Sequence, residues 1–233
     1  LPAQLAGLRI TPPGDFSGTI AATVTAYAME RSTGDVAATS HGFTVEVTPV
    51  ADTPLMSVPE HLAGPEDSAI ALPLHPTLTD TDGSETLAVL VTNVPAGASF
   101  SAGHANPDGS WTIPAASLAG LSFTPPHDFS GTITLSVAAV ATDGASTAAS
   151  AAQSVTVVVA AVADAPLLSA APATGTEDQA VPLAVSVALS DTDGSETLGS
   201  VVISGLPHGF TLSAGHDNGD GTVTLAPADL AGL

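Results

Sequence analysis

Two six-residue segments carry the densest chemistry in this sequence: Asp80-Thr-Asp82-Gly83-Ser-Glu85 and Asp191-Thr-Asp193-Gly194-Ser-Glu196. In an extended chain, residues two apart face the same way, so Asp80 and Asp82 present two carboxylates toward one point. Gly83 allows a turn, and Glu85 can fold back as a third. Three carboxylates that close repel one another unless a cation sits among them. Hard oxygen ligands with no His or Cys beside them suit Ca²⁺ rather than zinc or copper. The spacing is neither that of an EF-hand loop nor that of the Gly-Gly-x-Gly-x-Asp nonapeptide. The other reading of each segment is a solvated acidic turn.

The rest of the composition points the same way. Across 233 residues there are 23 Asp and Glu against 2 Lys and Arg, a formal charge of −21. Nucleic acid and anionic membrane surfaces are excluded as partners, because holding phosphate takes Lys and Arg. The absence of Cys rules out disulfides, thiol nucleophiles and thiolate metal sites. Hydrophobic residues make up 44% of the chain, enough for a packed core and too many for a disordered acidic tail. The longest apolar run, Val157 to Ala163, is too short to insert in a membrane. The opening Leu1-Pro2-Ala3-Gln4-Leu5 lacks the basic and apolar regions of a signal peptide, and the chain reads as an excerpt from a longer one.

No enzyme is expected. There is no Gly-x-Ser-x-Gly, no His-Glu-x-x-His and no phosphate-binding loop. Of seven His, only His104 and His216 recur in equivalent places, as loop residues before an Asp-Gly turn. Trp111 and Tyr27 sit in strand patterns and are expected in the core.

The elements that must position the carboxylates are organised by an internal repeat. Leu-Ala-Gly-Leu occurs at 5–8, 118–121 and 230–233, and Thr-Pro-Pro-x-Asp-Phe-Ser-Gly-Thr-Ile at 11–20 and 124–133. Ser-Ala-Gly-His occurs at 101–104 and 213–216, and Val-Ala-Asp-x-Pro at 50–54 and 162–166. All recur at spacings of 111 to 113 residues, the size of a domain rather than of a solenoid unit. Residues 1–53 are thus the C-terminal half of a repeat, 54–165 a complete repeat, and 166–233 the N-terminal half of a third. Strand signals run throughout. Ile133, Leu135, Val137 and Ala139 alternate with small polar residues, as do Ile20, Ala22, Val24 and Ala26 one period earlier. Val155, Val157 and Val159 match Phe43, Val45 and Val47, and Ile70, Leu72 and Leu74 match Val181, Leu183 and Val185. Asp108-Gly109 and Asp220-Gly221 fall where tight hairpins belong, and only Pro114–Leu118 reads as a helical turn. The expected fold is all-β: tandem β-sandwiches of about 112 residues and seven or eight strands each, one complete and two partial.

Eighteen of the 23 acidic residues fall at positions acidic in both available copies, among them Asp15/Asp128, Asp52/Asp164, Glu66/Glu177 and Asp67/Asp178. A recent duplication would also preserve them. The order Glu-Asp, apolar strand, Asp-x-Asp, Asp-Phe-Ser-Gly, strand, Ala-Thr-Asp-Gly, strand, Val-Ala-Asp-x-Pro resembles the cadherin-like and Ig-like repeats of large bacterial RTX-type adhesins, over essentially the whole chain. In cadherins, Ca²⁺ lies between successive domains. The resemblance therefore implies one junction built from Asp52, Asp80, Asp82, Glu85 and Asp143, joined by Asp15. It implies a second built from Glu66, Asp164, Asp191, Asp193 and Glu196, joined by Asp128. Asp15 and Asp128 serve equally well as corner-turn residues of Asp-Phe-Ser-Gly. The linker offers one Asp where cadherins offer several ligands, which points to one or two ions per junction rather than three.

The same resemblance implies an extracellular, surface-bound or secreted spacer of a bacterial adhesin, its neighbouring repeats locked by calcium, in support of adhesion or biofilm attachment. Such modules bind Ca²⁺ weakly, on the order of 10⁻⁴–10⁻³ M. The alternative is a calcium-dependent, lectin-like module for surface polysaccharide, against which the scarcity of aromatics counts. Acidity suited to high salt is compatible with either.

Overall fold

A computed structural model describes residues 5–230; the opening four residues, and all but Leu230 of the last Leu-Ala-Gly-Leu copy, lie outside the described residues. The chain is predominantly β, 43% strand. Among the described residues no helix is long and apolar enough to cross a membrane.

The first two strands, β1 (Gly18–Met29) and β2 (Val36–Val47), form a hairpin paired from Gly18 with Val47 to Met29 with Val36. The middle of the chain supplies β3 (Leu55–Ser57), β4 (His61–Pro65), β5 (Ile70–Ala71), β6 (His75–Thr77), β7 (Thr86–Thr92) and β8 (Ser99–Phe100). It continues through β9 (His104–Ala105), β10 (Trp111–Pro114), β11 (Ser122–Thr124), β12 (Gly131–Asp143), β13 (Ser146–Ala149) and β14 (Gln153–Ala160). The last part holds β15 (Leu167–Ala170), β16 (Val185–Ala188), β17 (Val201–Ser204), β18 (His216–Asp217) and β19 (Thr222–Leu225). One sheet runs β4-β14-β12-β7-β10-β9, with β13 also paired to β12, and a three-stranded sheet runs β5-β11-β8.

Two compact units result: one of residues up to 62, 69–124 and 133–157, the other of 63–68, 125–132 and 158 onward. In the first, strand alternation sorts the side chains. Ile133, Leu135, Val137, Ala139 and Ala141 of β12 are buried, with Val89 and Val91 of β7, Ile113 of β10, and Val155 and Val157 of β14. The next inward position on β12 is Asp143, itself buried at the strand end. From β8, Phe100 meets Trp111 of β10 edge-on at 5.1 Å and Phe123 of β11 at 5.3 Å, so the two sheets share one core.

The repeated Ser-Ala-Gly-His has a packing reason. Gly103 has φ +91, and a Cβ there would stand 2.6 Å from the Thr112 carbonyl oxygen and 2.8 Å from Ile113 Cγ1. Gly215, its counterpart in the second unit, would put a Cβ 2.7 Å from Leu225 Cδ2. Both the left-handed backbone and the close approach admit only glycine.

In the second unit, β17 and β19 pair Val201 with Leu225, Val202 with Thr224 and Ile203 with Val223. In the first, β7 and β10 pair Val89 with Ile113, Leu90 with Thr112 and Val91 with Trp111. These residues are 112 apart, so the two copies share one register. Pro114–Leu118 holds the expected 3-10 turn at Ala115–Ser117, and a second lies at Pro227–Leu230.

Some expectations fail. Tyr27 is 74% exposed rather than in the core; among the described residues, β1 and β2 pair only with each other. Trp111 is half-buried against Phe100. Twelve strands, β3 to β14, fall within 54–165 rather than seven or eight, since bends split the longer runs into pieces as short as two residues. Leu72 and Leu74 are buried without being strand, and residues 181–184 are not strand either. Ile70 and Ala71 are held by β11, and no counterpart of β11 faces 181–184 among the described residues.

Candidate cation-binding clusters

Turn chemistry decides where the Asp-x-Asp carboxylates point. The Asp82 N–H donates to Asp80 Oδ1 (2.7 Å), and the Ser84 N–H donates to Asp82 Oδ1 (2.7 Å). These are Asx turns, which curl the segment instead of leaving it extended. Asp80 is driven inward and buried, while Asp82 stays exposed. The later copy curls the same way: the Asp193 N–H donates to Asp191 Oδ1 (2.7 Å) and the Ser195 N–H to Asp193 Oδ1 (2.6 Å), with Asp191 only 1% exposed. The Ser195 hydroxyl adds a bond to Asp191 Oδ2 (3.0 Å).

In the first unit, carboxylate oxygens of Asp52, Asp80 and Glu85 lie within 4.8 Å of one another. Glu85 turns back from the start of β7 to accept the Asp52 N–H on Oε1 (2.6 Å), fixing the linker to the loop. The Ser146 hydroxyl accepts the Ala51 N–H (3.0 Å), a second tether. Asp143, placed by the β12 alternation, lines a cavity of about 220 Å³ with Asp15, Thr48, Val50 and Asp52. Of the implied first set, Asp52, Asp80 and Glu85 meet, Asp15 and Asp143 share a cavity with Asp52, and the exposed Asp82 is not part of that group.

The second unit gathers Glu66, Asp191 and Asp193, again with oxygens within 4.8 Å. Here the second Asp does join, through a contact distant in sequence: the Ser130 N–H and hydroxyl both donate to Asp193 Oδ2 (3.0 Å each). Ser195, chiefly through its side chain, and then the Ser130 and Ser195 amides hold the Asp193 carboxyl well below the usual carboxylate range. Glu66 accepts the Val162 N–H on Oε1, and Glu196 accepts the Asp164 N–H on Oε1, so this linker is tethered twice as well. Asp164 and Glu196 also border a common cavity. Asp128 goes elsewhere, into an exposed group with Asp67 and His127.

That third group was not foreseen. Asp67 is legible as half of the repeated Glu-Asp pair, but His127 has no counterpart, since Gly14 stands in its place. Asp67 Oδ1 accepts the Asp128 N–H (3.0 Å), and His127 Nδ1 contacts Asp128 Oδ1 at 2.5 Å. The bond to Asp128, then its charge and that of Asp67, raise the His127 pKa above the usual imidazole value. Asp15, Asp67, Asp128 and Asp178 all take left-handed backbone, φ 54 to 63, which Asp tolerates in turns. The corner-turn role of Asp-Phe-Ser-Gly and its proximity to the clusters therefore coexist. The missed serine, Ser130, belongs to that same motif.

The donor set suits a hard cation. Glu66, Glu85 and Glu196 each engage a linker amide with one oxygen, while Oε2 is buried with no hydrogen-bond partner. A carboxylate oxygen removed from water and left unpaired is costly. A divalent ion coordinated by oxygens would offset that cost, and no thiolate or imidazole competes in the two buried groups.

No protein-family model matches the chain, and no curated protein matches it at a significant level.

Proposed function

We propose that this chain is a calcium-rigidified spacer, a run of cadherin-like β-sandwich repeats from an extracellular bacterial adhesin, and not an enzyme. One observation carries the reading: three glutamates that each bind a linker amide keep a buried, unpartnered second oxygen, two of them among further carboxylates. Without a cation, mutual repulsion works against the linker tethers at 51–52 and 162–164. With Ca²⁺ among them, Asp80 and Glu85 with Asp52, and Asp191 and Asp193 with Glu66, become ligands, and each linker is fixed against its loop. A spacer gains stiffness in this way, and holds an adhesive element away from a surface.

Further support comes from the two-fold occurrence of the arrangement, which fits duplicated structural sites better than one asymmetric active site. Calorimetric titration with Ca²⁺, with small-angle scattering in parallel, tests it. Saturable binding with a fall in flexibility is expected, and the Asp80→Asn/Asp191→Asn variant should bind nothing. Absence of binding at millimolar Ca²⁺ would reduce the clusters to acidic turns.

A further inference from the structure

The corner at 125–131 reaches the group of Glu66, Asp191 and Asp193 without adding a carboxylate to it. It belongs to the same compact unit as those three residues. The Phe129 N–H donates to Pro126 O (3.2 Å), and Asp128 takes left-handed backbone at φ 58, which together close the corner. Two of its amides then turn outward to carboxylates of other segments. The Asp128 N–H donates to Asp67 Oδ1 and the Ser130 N–H to Asp193 Oδ2, each at 3.0 Å. The Ser130 hydroxyl donates to the same Oδ2, again at 3.0 Å. The Asp128 carboxylate is engaged by His127 Nδ1 at 2.5 Å, in the exposed group with Asp67.

These donors limit what Asp193 can offer. An ionised carboxylate has about four lone-pair sites, two on each oxygen. Ser130 occupies both on Oδ2, and the Ser195 N–H takes one on Oδ1 (2.6 Å), so the site that remains is on Oδ1. Asp193 is exposed, and an exposed side chain otherwise samples several rotamers. Donors from two segments hold it in one orientation, with an oxygen within 4.8 Å of those of Glu66 and Asp191. The Asx turn alone does not achieve this: Asp82 makes the same local bonds and stays outside the group of Asp52, Asp80 and Glu85. A separate atom in the second group calls for a cation, since Glu66 is only 3% exposed and its Oε2 is buried without a partner.

We infer that Ser130 is the positioning residue of this second cation site: its hydroxyl, acting through Asp193, ties the 125–131 corner to the ion, while Asp128 is not a ligand. The inference rests on the cation reading above. An ion held by Glu66, Asp191 and Asp193 then orders the corner from outside its own coordination sphere. The coupling is reciprocal, so a change that frees the corner weakens ion binding by the same factor. Strand β12 begins at Gly131, directly after Ser130, which carries the effect to the start of a core strand.

Hydrogen exchange of the full chain across a calcium titration, read by mass spectrometry on peptides covering 127–132 and 191–196, follows this site separately from the first. In the parent, both segments should gain protection with one common midpoint. Ser130→Ala keeps the amide bond and removes only the hydroxyl. It should raise the 191–196 midpoint about three- to tenfold, the worth of one hydrogen bond, and 127–132 should lose most of its calcium-dependent protection. Ser130→Thr, which restores a hydroxyl, should bring the midpoint back, and Asp128→Asn should move it by less than about twofold. In an Asp193→Ala background, adding Ser130→Ala should have no further effect. An unchanged midpoint in Ser130→Ala, no rescue by Ser130→Thr, a further loss in the Asp193→Ala background, or a shift in Asp128→Asn as large as that in Ser130→Ala overturns the positioning role and leaves the cation site standing. Absence of calcium-dependent protection at 191–196 in the parent overturns the cation reading, and the positioning role with it.

Discussion

Replacing Glu85 by Gln should reverse the sign of its effect on stability when calcium is added. Gln keeps the shape and can still accept the Asp52 N–H on its side-chain oxygen, while its NH₂ can donate to the Asp80 carboxylate. Asp80 and Glu85 are both buried, with ligand oxygens within 4.8 Å. At an effective dielectric near 20, two charges 4.8 Å apart repel by about 3.5 kcal/mol, a figure that relaxation and salt reduce. In EDTA the variant should therefore be as stable as the parent, or up to about 3 kcal/mol more stable. With Ca²⁺ the parent gains RT ln(1 + [L]/Kd). At 10 mM Ca²⁺ and the weak affinity of extracellular modules, that is about 1.4 to 2.7 kcal/mol per site. At roughly 2 to 4 °C per kcal/mol for a chain of this length, the calcium shift from this cluster is about 3 to 11 °C in Tm. Thermal and urea unfolding in EDTA, Ca²⁺ and Mg²⁺ would measure both halves. An equal calcium shift in parent and Glu85→Gln would refute the assignment of this cluster as a cation site. A variant destabilised by more than about 1 kcal/mol in EDTA would show instead that the carboxylate is a satisfied structural acceptor.

Asp193→Asn should weaken calcium binding about tenfold or more, since Asp193 joins Glu66 and Asp191, whereas Asp82→Asn should change it less than threefold; isothermal titration of both variants decides this. His127 should titrate above 6.5, and Asp128→Asn should bring it back toward that value in an NMR titration. Because the folded-state pKa is raised, the stabilisation from this pair is present in full below pH 6.5 and is lost as pH rises through the folded value. Gly103→Ala should cost about 2 to 5 kcal/mol, combining left-handed strain with overpacking against Thr112 and Ile113, measurable by urea denaturation. Glycan retention on an array should stay at background with and without Ca²⁺; calcium-dependent retention would favour a lectin-like module instead. Exposed Tyr27, Phe43 and Phe210 make that a real comparison, since composition alone had suggested few aromatics at the surface.

The all-β character was legible in the sequence because strand alternation is a local signal: the period of two in 133–141 predicts which face of β12 is buried, and even carries Asp143 inward. The internal repeat was legible for the same reason, since identity at a fixed spacing needs no structure. It foretold that 89–91 and 201–203 would find equivalent partners. Carboxylate identity at 52, 80, 85, 66, 191 and 193 was likewise written in the motifs. What the sequence could not decide is where an exposed turn aims its side chains. Asp80 and Asp82 share a strand face only if the chain is extended, and the Asx hydrogen bonds curl it. Nor could it separate Asp82 from Asp193, two residues in identical hexapeptides. Their difference comes from Ser130, 63 residues away from Asp193, and a long-range hydrogen bond leaves no mark at either site. The exposure of Tyr27 has the same origin. Alternation places a residue on a face, but only the neighbouring strands determine whether that face is covered.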